Sequence, residues 1–485
     1  MTHGTYLNAE GDQYYEVDVT DANGITYKMP QGNVYFPNIF HRDNYYDIYY
    51  QENYTKKRLN SVFGTLQLGY KDMVYLDLTA RNDWSSALAF TESMSFFYPS
   101  VGATFLLDEM FHMNDDLFDM VKLRASYSVV GNDIPAYYSR PVATLSKLTI
   151  TLPTVMPFTD WKPEKTFSIE AGFDLAMLHN RLRTEFTFYK ANTKNQYFQV
   201  SAPVASGYSK RNINAGNVEN LGIEASLSYR LDFNHDWSWT PGINFSYNKN
   251  EIKELCPGLE EYNLAEASAF IMKLKKGGSY GDIYTYDFQY DDNGNIKLDN
   301  TGAPLLTSDA DTYAGNFNSK FHLGWSNTIN WKNLNIYALV DGKIGGKVLS
   351  MTEAIMDGYG VSKATGDARL NGGVPNKDGS MIDAEKYYSR VGGRAQNAGF
   401  NAMEYMYSAT NFRLRELSVG YTFENLFGMN KNLTASVVGR NLFFLYKKSP
   451  CDPDISGSTG NGWQGIDVFS LPATRSWGLN LKLNF

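Results

Sequence analysis

Apolar and polar side chains alternate along this chain in stretches of about ten residues, the period of a strand with one greasy face. In Met73–Asn82, Val74, Leu76, Leu78 and Ala80 fall on one face, and Tyr75, Asp77, Thr79 and Arg81 on the other. Thr166–Leu175 sets Phe167, Ile169, Ala171 and Phe173 against Thr166, Ser168, Glu170 and Asp174. Arg181–Lys190 sets Leu182, Thr184, Phe186 and Phe188 against Arg183, Glu185, Thr187 and Tyr189. Gly222–Asp232 sets Ile223, Ala225, Leu227 and Tyr229 against Glu224, Ser226, Ser228 and Arg230. The last segment sets Trp477, Leu479, Leu481, Leu483 and Phe485 against Ser476, Asn480, Lys482 and Asn484. Similar segments begin near Val62, Phe97, Val121, Ser238, Phe321, Leu334, Phe412 and Leu433. Roughly thirteen strands are predicted, each as long as a tilted membrane-crossing strand.

The polar faces carry ionisable side chains, so they meet water and not a second apolar layer. A soluble sandwich would use shorter strands and closer turn signals. Aromatic residues near segment ends, among them Tyr70, Trp84, Tyr98, Trp331, Tyr421 and Trp477, suit the girdles of a membrane barrel. The connections alternate in length. Lys71-Asp72 and Lys332-Asn333 are tight turns, and the links at Ala176–Asn180, Phe233–Trp237 and Glu424–Asn432 are modest. The links at Asp83–Phe96, Asn132–Lys165, Ala191–Leu221, Lys249–Lys320, Lys343–Asn411 and Phe444–Thr474 are long. Short turns on one side and long loops on the other are the habit of outer-membrane barrels. The fold class expected is therefore all-β, an antiparallel transmembrane β-barrel with about 13–14 strands present.

Composition sharpens this picture. The 485 residues include 35 Tyr and are 15% aromatic, and Tyr and Phe favour strands and wet–apolar boundaries. Mean hydropathy is -0.38, and no apolar run approaches the ~20 residues of a spanning helix, which excludes a helical membrane protein. Net charge is -8 and no Lys/Arg-rich block exists, so nucleic acid is not an expected partner. The two cysteines, Cys256 and Cys451, exclude a disulfide scaffold and a Cys-based zinc site, and both are read as unpaired loop residues. The six histidines lack metal-ligand spacing, so no metal and no cofactor are expected. The opening residues carry no basic, then apolar, leader pattern.

Counting strands from the tight turns places the final strand running inward, with Phe485 on the periplasmic side. The first clear strand near Val62 also runs inward, so residues 1–60 are expected to form an extracellular loop that follows an upstream strand. Residues 61–485 are then the C-terminal portion of a longer barrel, since bacterial barrels have an even strand number with both ends periplasmic.

Individual motifs add little chemistry. Asp83-Trp84, after Arg81-Asn82, reads as a strand end where Trp anchors at the headgroups. Phe485, with Trp477 on the same face, reads as a barrel insertion signal. Asp341–Val348 has two glycines and a lysine but lacks the first Gly and the Ser/Thr of a phosphate loop, so it reads as the start of a loop. Asp291–Asp299 lacks the EF-hand's spacing, and a hairpin turn at Asn293-Gly294 is the better reading. Asp452 and Asp454 read as solvated loop charge. No nucleophile elbow or His-containing constellation supports catalysis, so an enzyme is not expected.

Several segments together resemble a known family: Arg81–Leu88 with Ser95–Glu109, Val121–Asp133, Pro163–Leu175, Asn214–Tyr229, Asn411–Phe423 and Val437–Leu445. In this order they resemble the C-terminal barrel of SusC/RagA-type TonB-dependent outer-membrane transporters of Bacteroidota. The resemblance implies a 22-stranded barrel around a plug domain. It implies import of oligosaccharides or peptides under a SusD-like surface lipoprotein lid, with energy from TonB–ExbB–ExbD. The family's signal peptide, TonB box, plug and early strands have no counterpart in these residues. Two alternatives stay open: a stand-alone passive porin of about 14 strands, and an outer-membrane enzyme. The loops at Lys249–Lys320 and Lys343–Asn411 are expected to contact substrate or lid. Their Tyr, Asn, Asp and Gly suit sugars or peptides, through ring stacking and side-chain hydrogen bonds.

Overall fold

The computed structural model describes residues 15–20, 26–31, 56–114, 116–139, 144–146, 149–151, 153–156, 160–202, 204–256, 258–267, 269–392, 401–425, 432–457 and 463–484. The chain divides into residues 1–56 and 57–485. In the first unit Tyr15–Thr20 pairs antiparallel with Thr26–Gln31.

The second unit is built on one long sheet. Its strands are β1 (Leu59–Tyr70), β2 (Val74–Ser85), β3 (Ser95–Leu106), β4 (Phe118–Asn132), β5 (Glu164–Met177), β6 (Leu182–Ser201) and β7 (Lys210–Tyr229). They continue as β8 (Trp237–Glu254), β9 (Phe321–Trp331), β10 (Leu334–Ile344), β11 (Asn411–Phe423), β12 (Asn432–Lys447) and β13 (Ser476–Asn484). Each pairs antiparallel with the next in chain order, and all thirteen correspond to strands read from the alternation. Among the described residues, β1 and β13 are not paired with each other.

Register turns thirteen separate alternations into one surface. Directly opposite residues share a face, and the partners run Leu66–Leu78–Val101–Tyr127–Ile169 across β1 to β5. They run Phe173–Phe186–Ala225–Phe245–Leu323 across β5 to β9, and Ile336–Val419–Val437–Leu479 across β10 to β13. A one-residue slip in any pair would set a polar row into this band, so hydrocarbon contact specifies the register. The tight turns work by backbone geometry. Lys71 and Asp72 take φ of 50° and 54°, and Met73 N donates to Tyr70 O at 3.0 Å, the handedness that joins twisted strands in a short hairpin. The links opposite are long, apart from the β2–β3 and β6–β7 loops. The β3–β4 link holds one short helix, α1 (Leu107–Phe111).

Parity places most expected girdle aromatics on the outer face: Tyr70, Trp84, Trp331, Tyr421 and Trp477. Tyr98 is the exception. It lies opposite Arg81 on the inner face and donates to Asp83, which also accepts from Arg81 Nε at 2.8 Å.

Two loop expectations change. The long link expected at Ala191–Leu221 is mostly strand: β6 and β7 pair from Leu182–Tyr229 up to Ser201–Lys210, leaving only residues 202–209 as a tip. Past the bilayer the backbone ladder no longer needs a greasy face, so Asn192, Lys194 and Gln196 continue it without the alternation that marks a strand. The long loops expected to contact substrate or lid are not separate excursions but fold together with the last loop. Residues 255–320 form the antiparallel strands Glu261–Glu266, Ile271–Lys275, Asp282–Thr285 and Thr312–Asn316. Residues 345–410 supply Lys347–Ser350, which pairs antiparallel with Met406–Ser408 and parallel with Ile466–Asp467 from the last loop. They also supply helices α2 (Met351–Gly358), α3 (Lys363–Leu370) and α4 (Ala384–Val391).

A core of Phe270, Met272, Ile283, Phe288, Leu349, Val391, Tyr405 and Ile466 joins all three loops. The hairpin turn expected at Asn293-Gly294 is present, with Gly294 at φ 81° and Tyr290 bridged to Ile296. Gly345 and Gly346, at φ 86° and 78°, open the middle loop as expected. Cys256 and Cys451 are not joined in a disulfide.

Candidate functional site

The inner face is polar because the outer face takes the apolar half of each alternation. On β4 and β5, Asp174 accepts from Arg124 Nε at 3.2 Å and meets Lys122 at 2.5 Å, while Arg124 also donates to Thr187. Gly172 lies between these groups, where a Cβ would meet Phe186 O at 2.4 Å and crowd the Arg124 guanidinium. Further round, Glu185, Glu224, Asn244, His322, Asp341 and Lys343 line an open cavity of about 460 Å³ along the wall.

A larger cavity of about 730 Å³ adjoins it, sharing His322 and Lys343. Its floor is the inner face of β7 and β8, where Asn248 and Asn250 both donate to Asn220 Oδ1. Its roof is the folded loops. Asn250 Oδ1 accepts from Tyr280 N at 2.7 Å and Ser279 Oγ at 3.3 Å, which ties roof to floor. Asp282 accepts from Asn316 Nδ2 at 2.7 Å and Ser279 N at 2.8 Å, and Asn318 Nδ2 donates to Tyr280 O at 2.7 Å. Phe317 meets Tyr280 edge-on at 5.9 Å. Burial, then the neighbouring Asp282 carboxylate, pushes the Tyr313 phenol up to about 12, and burial raises Tyr280 as well. Both phenols are therefore neutral hydrogen-bonding groups at physiological pH. The cavity presents amides, phenols and a few charges to a bound molecule, which suits recognition by hydrogen bonds and ring contacts.

The third wall is held by charge. Asp452 accepts from Arg413 Nη2 at 2.7 Å, and Asp454 meets Lys343 at 2.6 Å, Arg415 at 3.3 Å and Arg413 at 3.4 Å. These two aspartates are thus not solvated loop charge: they fasten the last loop to β10 and β11. Burial pushes the Asp454 carboxyl up, but Lys343, Arg413 and Arg415 outweigh it and hold the group below the usual carboxylate range. A carboxyl whose folded value is depressed stabilises fully above its unfolded value, about 3.9, and loses this as pH falls through the folded value. The loop is therefore expected to stay docked from neutrality down to about pH 4 and to loosen only at more acid pH. Hydrogen exchange of residues 449–457, corrected for its intrinsic pH dependence, measures this. A rise already at pH 5 would contradict it.

Of the expected insertion signal, Trp477 stands on the outer face opposite Gly439 and is exposed, while Phe485 lies outside the described residues. Sequence reading named no individual binding residue. The asparagines of the cavity floor could have been picked out as polar residues continuing the inner face of two strands, but the roof needs loops from three distant places. Among the described residues no cluster of metal-ligating side chains is found, and no helix is long and apolar enough to cross a membrane.

An antiparallel wall with a continuous apolar outer band, a polar inner face and folded loops on one side defines a membrane β-barrel. Residues 2–442 match the family described as TonB dependent receptor-like, beta-barrel, and the chain belongs to that family of the outer membrane. TonB-dependent receptor P3 of Formosa agariphila is 25% identical over 470 residues, which covers 88% of this chain and 45% of the relative. TonB-dependent receptor SusC of Bacteroides thetaiotaomicron is 23% identical over 469 residues, or 89% of this chain and 44% of the relative. The chain thus spans a little under half the length of these curated relatives. Among solved structures, the RagAB peptide importer in its open-open state superposes with a TM-score of 0.71 at 21% identity, over 88% of this chain and 47% of that one.

Proposed function

We propose that this chain forms barrel wall and outer loops of a TonB-dependent importer of the SusC/RagA type, which takes up oligosaccharides or peptides under a surface lipoprotein lid. The observation that carries this reading is the 730 Å³ polar cavity held between the inner wall and a folded outer body. A diffusion pore needs a clear water path, whereas this wall carries a structured recognition pocket at its outer end. The RagAB neighbour is a peptide importer, which supports the peptide class, and the resemblance of the sequence motifs to SusC/RagA-type transporters implies the oligosaccharide class. Both classes present hydroxyl, amide or carbonyl groups that Asn220, Asn248, Asn250, Asn316 and the two tyrosines can pair.

The test is uptake by the whole transporter in cells. Tyr280→Ala combined with Tyr313→Ala is expected to cut uptake of its substrate about tenfold or more, the loss of two aromatic contacts of about 1 kcal/mol each. Surface abundance is expected to stay unchanged. Undiminished uptake at equal abundance would remove the cavity from the transport path.

A further inference from the structure

The outer surface carries a feature that transport through the lumen does not use. On the outer face of β5 to β8, the apolar band ends above Phe167, Ile169, Phe188, Ile223 and Tyr247. The next residues outward on that face are lysines on β5, β6 and β8, and Leu221 followed by Glu219 on β7. Lys190 lies opposite Ile169 and Leu221, Lys165 lies opposite Lys194, and Lys249 lies opposite Leu221. Lys253 joins them through a bulge in the β7–β8 ladder.

Two glutamates lie between these lysines and set them in a row. Glu219 meets Lys190 at 2.9 Å and Lys253 at 3.3 Å, and Glu251 meets Lys253 at 2.7 Å and Lys249 at 2.8 Å. The glutamates are the more covered partners, with side chains 15% and 23% exposed, against 44%, 37% and 58% for Lys190, Lys253 and Lys249. Five lysines against Glu219, Glu251 and Glu254, the last lying opposite Asn217 beyond the bulge, leave two positive charges on the outward surface. Lys165 and Lys194 stand directly opposite each other, and neither takes part in the ion pairs of this cluster. Like charges directly opposite in a ladder repel unless an anion lies between them. The same rim is neutral on either side: Asn82, Trp84 and Phe97 occupy it on β2 and β3, and Phe321 and Ile344 on β9 and β10.

We propose that this patch binds the phosphate-bearing headgroup of a glycolipid in the outer leaflet, with the acyl chains against the apolar band below. Lysine stems lie along apolar surface while their ammonium groups reach the headgroup level. A basic patch there attracts anionic lipid. An anionic headgroup joined to hydrocarbon fits both parts of the surface at once, which a soluble anion does not.

The test uses the whole transporter, stripped of lipid in an uncharged detergent, and native mass spectrometry with phosphorylated lipid A as the probe. Lipid A is expected to stay bound. The triple variant Lys165→Gln, Lys190→Gln, Lys194→Gln is expected to lower its retention at least about tenfold. The matched triple Lys→Arg variant is expected to keep it, which separates lost charge from lost fold. Dephosphorylated lipid A is expected to bind as weakly as the Gln variant does. Equal retention by the Gln variant, or equal binding of the dephosphorylated lipid, would overturn the proposal. Full displacement by millimolar inorganic phosphate would likewise overturn it, by showing a free-anion site.

Discussion

Arg413→Ala is expected to release residues 448–475 from the barrel wall and to loosen the outer body that depends on them. The Arg413 side chain is 3% exposed, pairs with Asp452 at 2.7 Å and packs over the Phe444 ring at 4.1 Å. Removing one member of a buried ion pair costs about 3–5 kcal/mol, because the remaining charge stays out of water without its partner. Here Asp452 loses its ion pair and keeps only the Asp454 N–H as a donor, and Asp454 keeps only Lys343 and Arg415 as cationic partners. The loop then loses its hold on the strand Lys347–Ser350, to which it contributes Ile466–Asp467. Ile466 is fully buried in the shared core, so the disturbance reaches the other two loops. Protease cleavage within residues 448–475 of otherwise folded transporter is the measurement. Adding Asp452→Asn to the variant is expected to recover part of the loss, since it removes the orphaned charge. Resistance to cleavage equal to that of the parent would show that packing alone holds the loop.

The second large effect concerns two adjacent residues. Ile243→Arg is expected to block insertion, whereas Asn244→Arg is expected to be tolerated. Ile243 lies opposite Leu227 and Trp325 in the middle of the apolar band and is 51% exposed on that face. An arginine at the bilayer midplane on the lipid face of a barrel costs about 2–4 kcal/mol. Asn244 lies opposite Ser226 and Gly324 on the inner face and lines the lower cavity, where water and the carboxylates of Glu185, Glu224 and Asp341 meet the new charge. The measurement is the amount of folded, heat-modifiable protein in outer membranes. Equal amounts of the two variants would mean that the face assignment of β8 is wrong.

Both predictions depend on face, and face was legible in the sequence wherever the bilayer imposes it. A strand in hydrocarbon must alternate, so Val74, Ile169, Phe186, Leu227 and Leu479 announced the outer side of five strands before any partner was known. The turn at Lys71-Asp72 was legible because two residues between alternating runs leave room for nothing else. Tyr98 was misplaced because an aromatic near a strand end suggests a girdle, while parity from Val101 puts it inside with Asp83. The upper halves of β6 and β7 were missed because above the membrane both faces are polar, with pairs such as Asn192–Asn217 and Gln199–Asn212 beside the backbone ladder, and leave no apolar period to read.

The candidate site lay further from the sequence still. Its floor residues Asn220, Asn248 and Asn250 follow from the inner faces of β7 and β8, but Tyr280, Asn316, Asp454 and Lys343 come from widely separated segments that meet only when three loops share one core. Asp452 and Asp454 show why: on either side of Pro453 in a polar loop they look like ordinary solvated charge, and only folding brings Arg413, Lys343 and Arg415 to them. By itself, then, the sequence determined a membrane-crossing wall, its strand order and its two faces, because the solvent on each side acts on every residue locally. The tertiary structure alone decided the roofed cavity, the charge-fastened loop and the lysine row, because these depend on which distant residues come to stand side by side.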